Sequence, residues 1–198
     1  MSGTTRVPKA EITGPYGYLL KRFSRKRLGE VPDGAAVMWQ NRPVLMTLTR
    51  AGAKVQKWHQ LDADLKSFAH MAVAAQIGCS FCLDYGYFEA HNNGLDERKA
   101  SEVPRWREST VFTPLEREVM EYAEAMTVTP PQVTDEQSAS LLEQLGAPAL
   151  VELTAVIGFA NLTARGNVAM GITSQGFSKV CALPLAHASA SAGLAASA

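Results

Sequence analysis

The sequence predicts an all-α fold, one helical domain, on three observations. Apolar residues recur at three- and four-residue intervals in segment after segment, as one face of a helix requires. Capping residues and left-handed exits mark the ends of those segments. No stretch alternates apolar and polar side chains as a half-buried strand does.

Residues 1–35 are rich in Gly, Pro and basic residues and read as an N-terminal arm, with a short helix around Leu19 to Leu28. The body then spans residues 36–172. Pro43 opens a helix over 44–57, with Leu45, Leu48, Ala51 and Val55 on its apolar face. Asp62 is placed to cap the next, over 62–77, whose Leu65, Phe68, Ala69, Ala72 and Val73 are small enough for burial on most sides and which Gly78 ends. A third runs from Ser80 to Asn92 and exits through Asn93-Gly94. A short charged helix at Asp96 to Ala100 precedes a loop.

Pro114 to Met126 carries the stripe Leu115, Val119, Tyr122, Ala123 and Met126. Pro130-Pro131 makes residues 127–133 a connector. Thr134 and Gln137 have the capping-box spacing and start a helix to Leu145. Ala147-Pro148 starts the last long helix, to Ala169. Residues 173–198 form a low-complexity Ala/Ser tail, whose stretch 182–198 has too little bulk to pack a core and is expected to be loosely held or helical only by docking.

Among 198 residues, 46% are hydrophobic, and 19 basic residues balance 19 acidic ones, so no overall positive field favours nucleic acid. The basic cluster Lys21 to Arg27 reads as a solvated helix face. The first fourteen residues lack the apolar core of a signal peptide, and no run of about 18 apolar residues suits a bilayer. A cytoplasmic protein with no membrane partner is expected. In a reducing compartment, closely spaced cysteines point to redox chemistry or metal more than to a structural disulfide.

Cys79-Ser80-Phe81-Cys82 is such a pair, at a helix start whose free N–H groups favour thiolate. Three readings are open: a redox couple, half of a zinc site completed by Cys181 and His187, or two reduced thiols in the core. Zinc sites draw ligands from two local pairs, and only one pair is present. No metal and no cofactor are therefore expected, and Cys181 reads as a small buried hydrophobe. Separately, LKSFAHMAVAAQIGCSFCLDYG and LVELTAVIGFANLTARGNVAMG echo each other 85 residues apart, with Cys79 opposite Ala164 and Cys82 opposite Asn167. Duplicated architecture and shared composition are both open.

The run through Gly78-Cys79-Ser80-Phe81-Cys82, with PLEREVMEYAEAMT and VELTAVIGFANLTARGNVAMGI, resembles the carboxymuconolactone decarboxylase family, in particular its AhpD-like alkylhydroperoxidase branch. The resemblance covers residues 36–172. It implies an AhpD-like helical bundle that forms homo-oligomers, with Cys82 attacking a peroxide and Cys79 resolving the adduct as a disulfide. It also implies a proton relay of a histidine four residues after Cys82 and a glutamate twelve before Cys79. Gly86 and Ser67 stand at those positions, and neither is a base near neutral pH.

His70, three residues after Ser67 on the same helix face, is the substitute that spacing offers. A partly buried histidine held by a neighbour is the other reading. Tyr85, three residues past Cys82, and Ser67 are the substrate-proximal candidates; Asp84 reads as a favourable charge near the helix start that would blunt a nearby thiolate. His91 should face away and His59 lies in a loop. Glu152, Asn161, Arg165 and Asn167 read as structural polar groups.

The expected function is reduction of peroxides or organic hydroperoxides by the CxxC pair, with a thiol electron donor of unknown identity as partner. One alternative is a lyase acting on a small carboxylated lactone, with Arg165 and His70 as its acid–base and anchoring groups. The other is a redox sensor or binding protein that kept the scaffold and lost the relay.

Overall fold

The computed structural model describes residues 5–186, and the fold is all-α, with no strand among them. In chain order the helices are α1 (Gly14–Leu28), α2 (Asp33–Met38), α3 (Arg42–Val55), α4 (Ala63–Ile77), α5 (Ser80–Asn92), α6 (Glu97–Glu102), α7 (Pro114–Thr127), α8 (Asp135–Leu145) and α9 (Ala147–Met170). Short 3₁₀ turns follow α2, α6 and the α9 exit, the last at Phe177–Val180.

Local chemistry sets the boundaries. Asp62 caps α4 by accepting from the backbone of Asp64 and Leu65, and Gly78 ends it at φ 74°. Thr113 with Glu116 and Thr134 with Gln137 form reciprocal capping boxes on α7 and α8. The arm departs from expectation: α1 starts five residues before Leu19. Pro15 sits in its first turn, where a missing N–H is harmless, and Gly17 is needed because a Cβ there would lie 2.9 Å from Ile12. The short α2 carries no periodic signal long enough to read.

The core lies where α4 packs against α7 and α9. Phe68, Met71, Val73, Val119, Met120, Leu153 and Ile157 are fully buried there. By length and composition α9 would suit a bilayer, but its contacts with α4, α7 and α8 make it a core helix. It runs unbroken past the place where Gly78 breaks the first copy of the sequence echo.

Within the tail, residues 173–186 are docked on the body. Asp84 Oδ2 accepts from Ser174 Oγ at 2.7 Å, Gly176 N at 2.8 Å and Phe177 N at 3.0 Å, while Oδ1 accepts from Ser178 N at 2.8 Å and Ser178 Oγ at 2.6 Å. Phe177, 5% exposed, packs against Phe81, Tyr85 and Phe88. This strap docks on α5 through the Asp84 carboxylate and Phe177, with Ser80 Oγ accepting from Ser174 N at 3.2 Å and the Tyr87 hydroxyl donating to Leu183 O at 2.8 Å, not through the bulk that composition measures. Residues 187–198, His187 among them, lie outside the described residues.

Candidate active site

Cys79 is the N-cap of α5 and Cys82 lies in its first turn. That turn brings the two Cα atoms to 5.3 Å, and the sulfurs are joined as a disulfide. The backbone N–H of Cys82 donates to Cys79 Sγ at 3.2 Å, so the helix start presents a donor to sulfur. The pair sits among Ala74, Ile77, Phe81, Leu83, Ala164 and Val168, where α4, α5 and α9 meet. Cys79 is 1% and Cys82 4% exposed. Partly buried Ile77, Phe81, Leu83 and Val168 pack against the pair.

His70 lies on α4 directly against Gly86 of α5. A Cβ at Gly86 would come 3.1 Å from His70 Nδ1 and 3.2 Å from Met71 Cγ. The imidazole thus fills the space that a side chain at position 86 would need, one helical turn from Cys82. No hydrogen bond holds its ring among the described residues. Burial pushes its pKa below the ordinary 6.5, which keeps the ring neutral near pH 7.

The other candidates are placed differently. Ser67, one turn before His70, donates its hydroxyl to Ala63 O on its own helix at 3.0 Å. Tyr85 stacks on Phe81 and meets Phe177 edge-on, and burial, followed by the charge of Glu89, pushes its phenol up to about 12. It belongs to the aromatic cluster under the strap. Asp84 is corrected from a dipole partner to the strap's anchor: burial alone would raise its pKa, but hydrogen bonds from Ser178, Ser174 and Phe177 outweigh burial and hold it below the ordinary 3.8.

His91 pairs with Glu97. Arg165, exposed, donates to Thr127 O and to Asn161 Oδ1. Glu152, buried, accepts from Gln60 N at 2.7 Å and faces Lys66 Nζ at 3.1 Å. Cys181 stands apart from the pair; burial, then Glu97 and Asp84, raise its thiol pKa. No group of three or more His, Cys, Asp or Glu side chains gathers as a metal site among the described residues.

One contact was missed at the level of role. Asn167 of α9 places Nδ2 3.4 Å from Cys82 Sγ.

The comparisons agree with this architecture. The model of the carboxymuconolactone decarboxylase family matches residues 43–125, from α3 into α7. The Escherichia coli (strain K12) protein YnjA is 36% identical over 159 residues, 79% of this chain and 86% of YnjA. YdfG of Bacillus subtilis (strain 168) is 26% identical over 119 residues, 60% of this chain and 81% of its own. The debrominase Bmp8 in complex with 2,3,4-tribromopyrrole superposes with a TM-score of 0.76 at 18% identity, covering 90% of this chain and 95% of Bmp8. The alkylhydroperoxidase AhpD core of a peroxidase-related protein from Ralstonia eutropha JMP134 gives 0.72 at 16% identity, covering 87% and 94%. Shared fold with the solved structures and shared sequence with YnjA across most of both chains lead to one assignment: this chain belongs to the carboxymuconolactone decarboxylase family and has the AhpD-like fold.

Proposed function

We propose that the chain is a thiol oxidoreductase that reduces peroxides or organic hydroperoxides through Cys82 and Cys79. The supporting observation is the disulfide at the start of α5, with a hydrogen-bond donor on each sulfur. Cys82 thiolate attacks the distal oxygen of the hydroperoxide; the O–O bond breaks, an alcohol leaves with a proton, and sulfur becomes a sulfenic acid. The Cys79 thiol condenses with it, releasing water and closing the disulfide. An external thiol donor returns two electrons by exchange and restores the dithiol. His70 is the group proposed to take the Cys82 proton, through one water, and the supply of reduced thiol this cycle needs suits a cytoplasmic setting.

The lactone-cleaving alternative has no use for a vicinal thiol pair, and the disulfide at the start of α5 favours the redox reading over it. The redox-sensor alternative keeps some: sulfurs this closed favour slow turnover beside a readily formed disulfide. One equivalent of cumene hydroperoxide should lower free thiol from three per chain to one. An unchanged count would remove the reading. A brominated pyrrole, the class of ligand in Bmp8, is the second electrophile to try.

Homo-oligomers are part of the same proposal. Helix α1 docks through Gly17, Ser24 and the partly buried Leu20, and turns Tyr18, Leu19 and Phe23 outward at 60–65% exposure. A second copy covering that face accounts for its exposure. Light scattering on Leu19→Glu/Phe23→Glu tests it: a mass equal to that of the unaltered protein rejects this face as the interface.

A further inference from the structure

With Ser67 and Gly86 at the relay positions, the group that steadies the Cys82 sulfur must come from elsewhere. Among the described residues one polar side chain reaches it: Asn167, whose Nδ2 stands 3.4 Å from Cys82 Sγ. A disulfide sulfur has no proton to give, so the contact is attractive only with the amide N–H aimed at it. We propose that Asn167 is a catalytic residue of the thiol pair, whose N–H holds the reduced Cys82 sulfur in its ionised, attacking form. This rests on the reading of Cys79 and Cys82 as a redox couple and adds to it the group that prepares the nucleophile.

The surroundings make such a donor necessary. Ala74, Ala164, Val168, Phe81 and Leu83 supply an apolar wall, which disfavours a thiolate that lacks a partner. In the same low-dielectric setting a hydrogen bond to a charged sulfur is strengthened. The backbone donor at the helix start is given to Cys79 Sγ, leaving Cys82 dependent on a side chain.

The end of α9 is built to keep that side chain in place. The Asn167 carbonyl accepts from Ile172 N at 2.9 Å, within the left-handed exit at Gly171. Arg6 of the arm donates Nη1 to Val168 O at 2.6 Å and Ala169 O at 3.1 Å, and its backbone N–H to Met170 O at 2.9 Å. The negative end of α9 is thereby covered by a guanidinium instead of lying bare beside a developing thiolate.

The titratable and charged groups around Cys82 are Cys79 before α5, Asp84 on α5 turned to the strap, His70 on α4, and Arg6 against α9. Among these only Cys79 touches the sulfur. Asn167 does not titrate, so it acts at every pH.

The experiment uses the full chain with Cys79→Ser and Cys181→Ser, leaving Cys82 as the single thiol, and follows iodoacetamide alkylation from pH 5 to 10. Adding Asn167→Ala should move the midpoint upward by about one unit, roughly a tenfold slower reaction near neutral pH. Asn167→Leu keeps the side chain's size and branching and removes its donor without adding charge, so a shift about as large is expected, with helical content by circular dichroism unchanged. A role in packing alone would leave the Leu variant's profile where the parent has it. Unmoved midpoints in both variants overturn the proposal. Alkylation needs no oxidant, so a shifted midpoint supports Asn167 even where hydroperoxide is not consumed, and the two readings fail separately.

Discussion

Replacing Asp84 with Ala should detach the strap that covers α5. The carboxylate serves five donors, of which three are backbone N–H groups of Gly176, Phe177 and Ser178 at 2.8–3.0 Å. If the strap stayed in place without it, the N–H groups of Phe177 and Ser178 would be orphaned at about 1–3 kcal/mol each, or about 2–6 kcal/mol together, while Gly176 N keeps Ser174 Oγ at 3.1 Å. Peeling away lets water satisfy these donors and forfeits chiefly the burial of Phe177, about 2–3 kcal/mol. The cheaper route sets the outcome: stability should fall by about 3 kcal/mol, and the strap should be free.

For a chain of this size that loss lowers Tm by roughly 6–12 °C. Lys179, exposed within the strap, should at the same time become a rapid tryptic site. Asp84→Asn, which keeps an acceptor, should fall between. Differential scanning calorimetry and timed trypsin digestion read both effects. An Asp84→Ala protein with the parent's Tm and the parent's cleavage rate at Lys179 would refute the assignment of Asp84 as anchor.

Three further outcomes are expected. Gly86→His should be poorly folded, and His70→Gly added to it should restore stability by at least about 1 kcal/mol in a double-mutant cycle, because the two rings contend for one space. The folded pKa of His70 lies below its unfolded value, so its stability contribution is present above about pH 6.5 and is lost as pH falls below it. The Tm of the parent should therefore decline from pH 7 to 5 more steeply than that of His70→Gln; parallel curves would remove the buried imidazole from the account. Arg6→Ala should lower stability by about 1 kcal/mol and slow Cys82 alkylation, since the end of α9 then loses its guanidinium.

Much of the fold was legible because its boundaries are local. Asp62, Thr134 with Gln137, and Gly78 each decide a helix end within four residues of themselves. The arm was less so: Pro15 and Gly17 resemble a loop until Ile12 and Trp39 are packed against Gly17. The thiol pair was legible for the same local reason, since its spacing is one helical turn.

The groups that complete the site were not. Asn167 meets Cys82 across 85 residues, and Asp84 meets the strap across 90 to 94. Nothing in the strap's Gly/Ser composition announces a carboxylate waiting for its N–H groups. Position 86 shows the limit in another way. A missing histidine reads as a lost function, whereas in the fold the glycine is the space that admits a histidine from the neighbouring helix.

The most direct test of the account is to trap the oxidised sulfur. Cys79→Ser treated with one equivalent of hydroperoxide in the presence of dimedone should carry the adduct on Cys82, located by peptide mass spectrometry, and Cys82→Ser treated alike should carry none on Cys79. Label on Cys79 with none on Cys82, or no label in either protein, would contradict Cys82 as the attacking thiol.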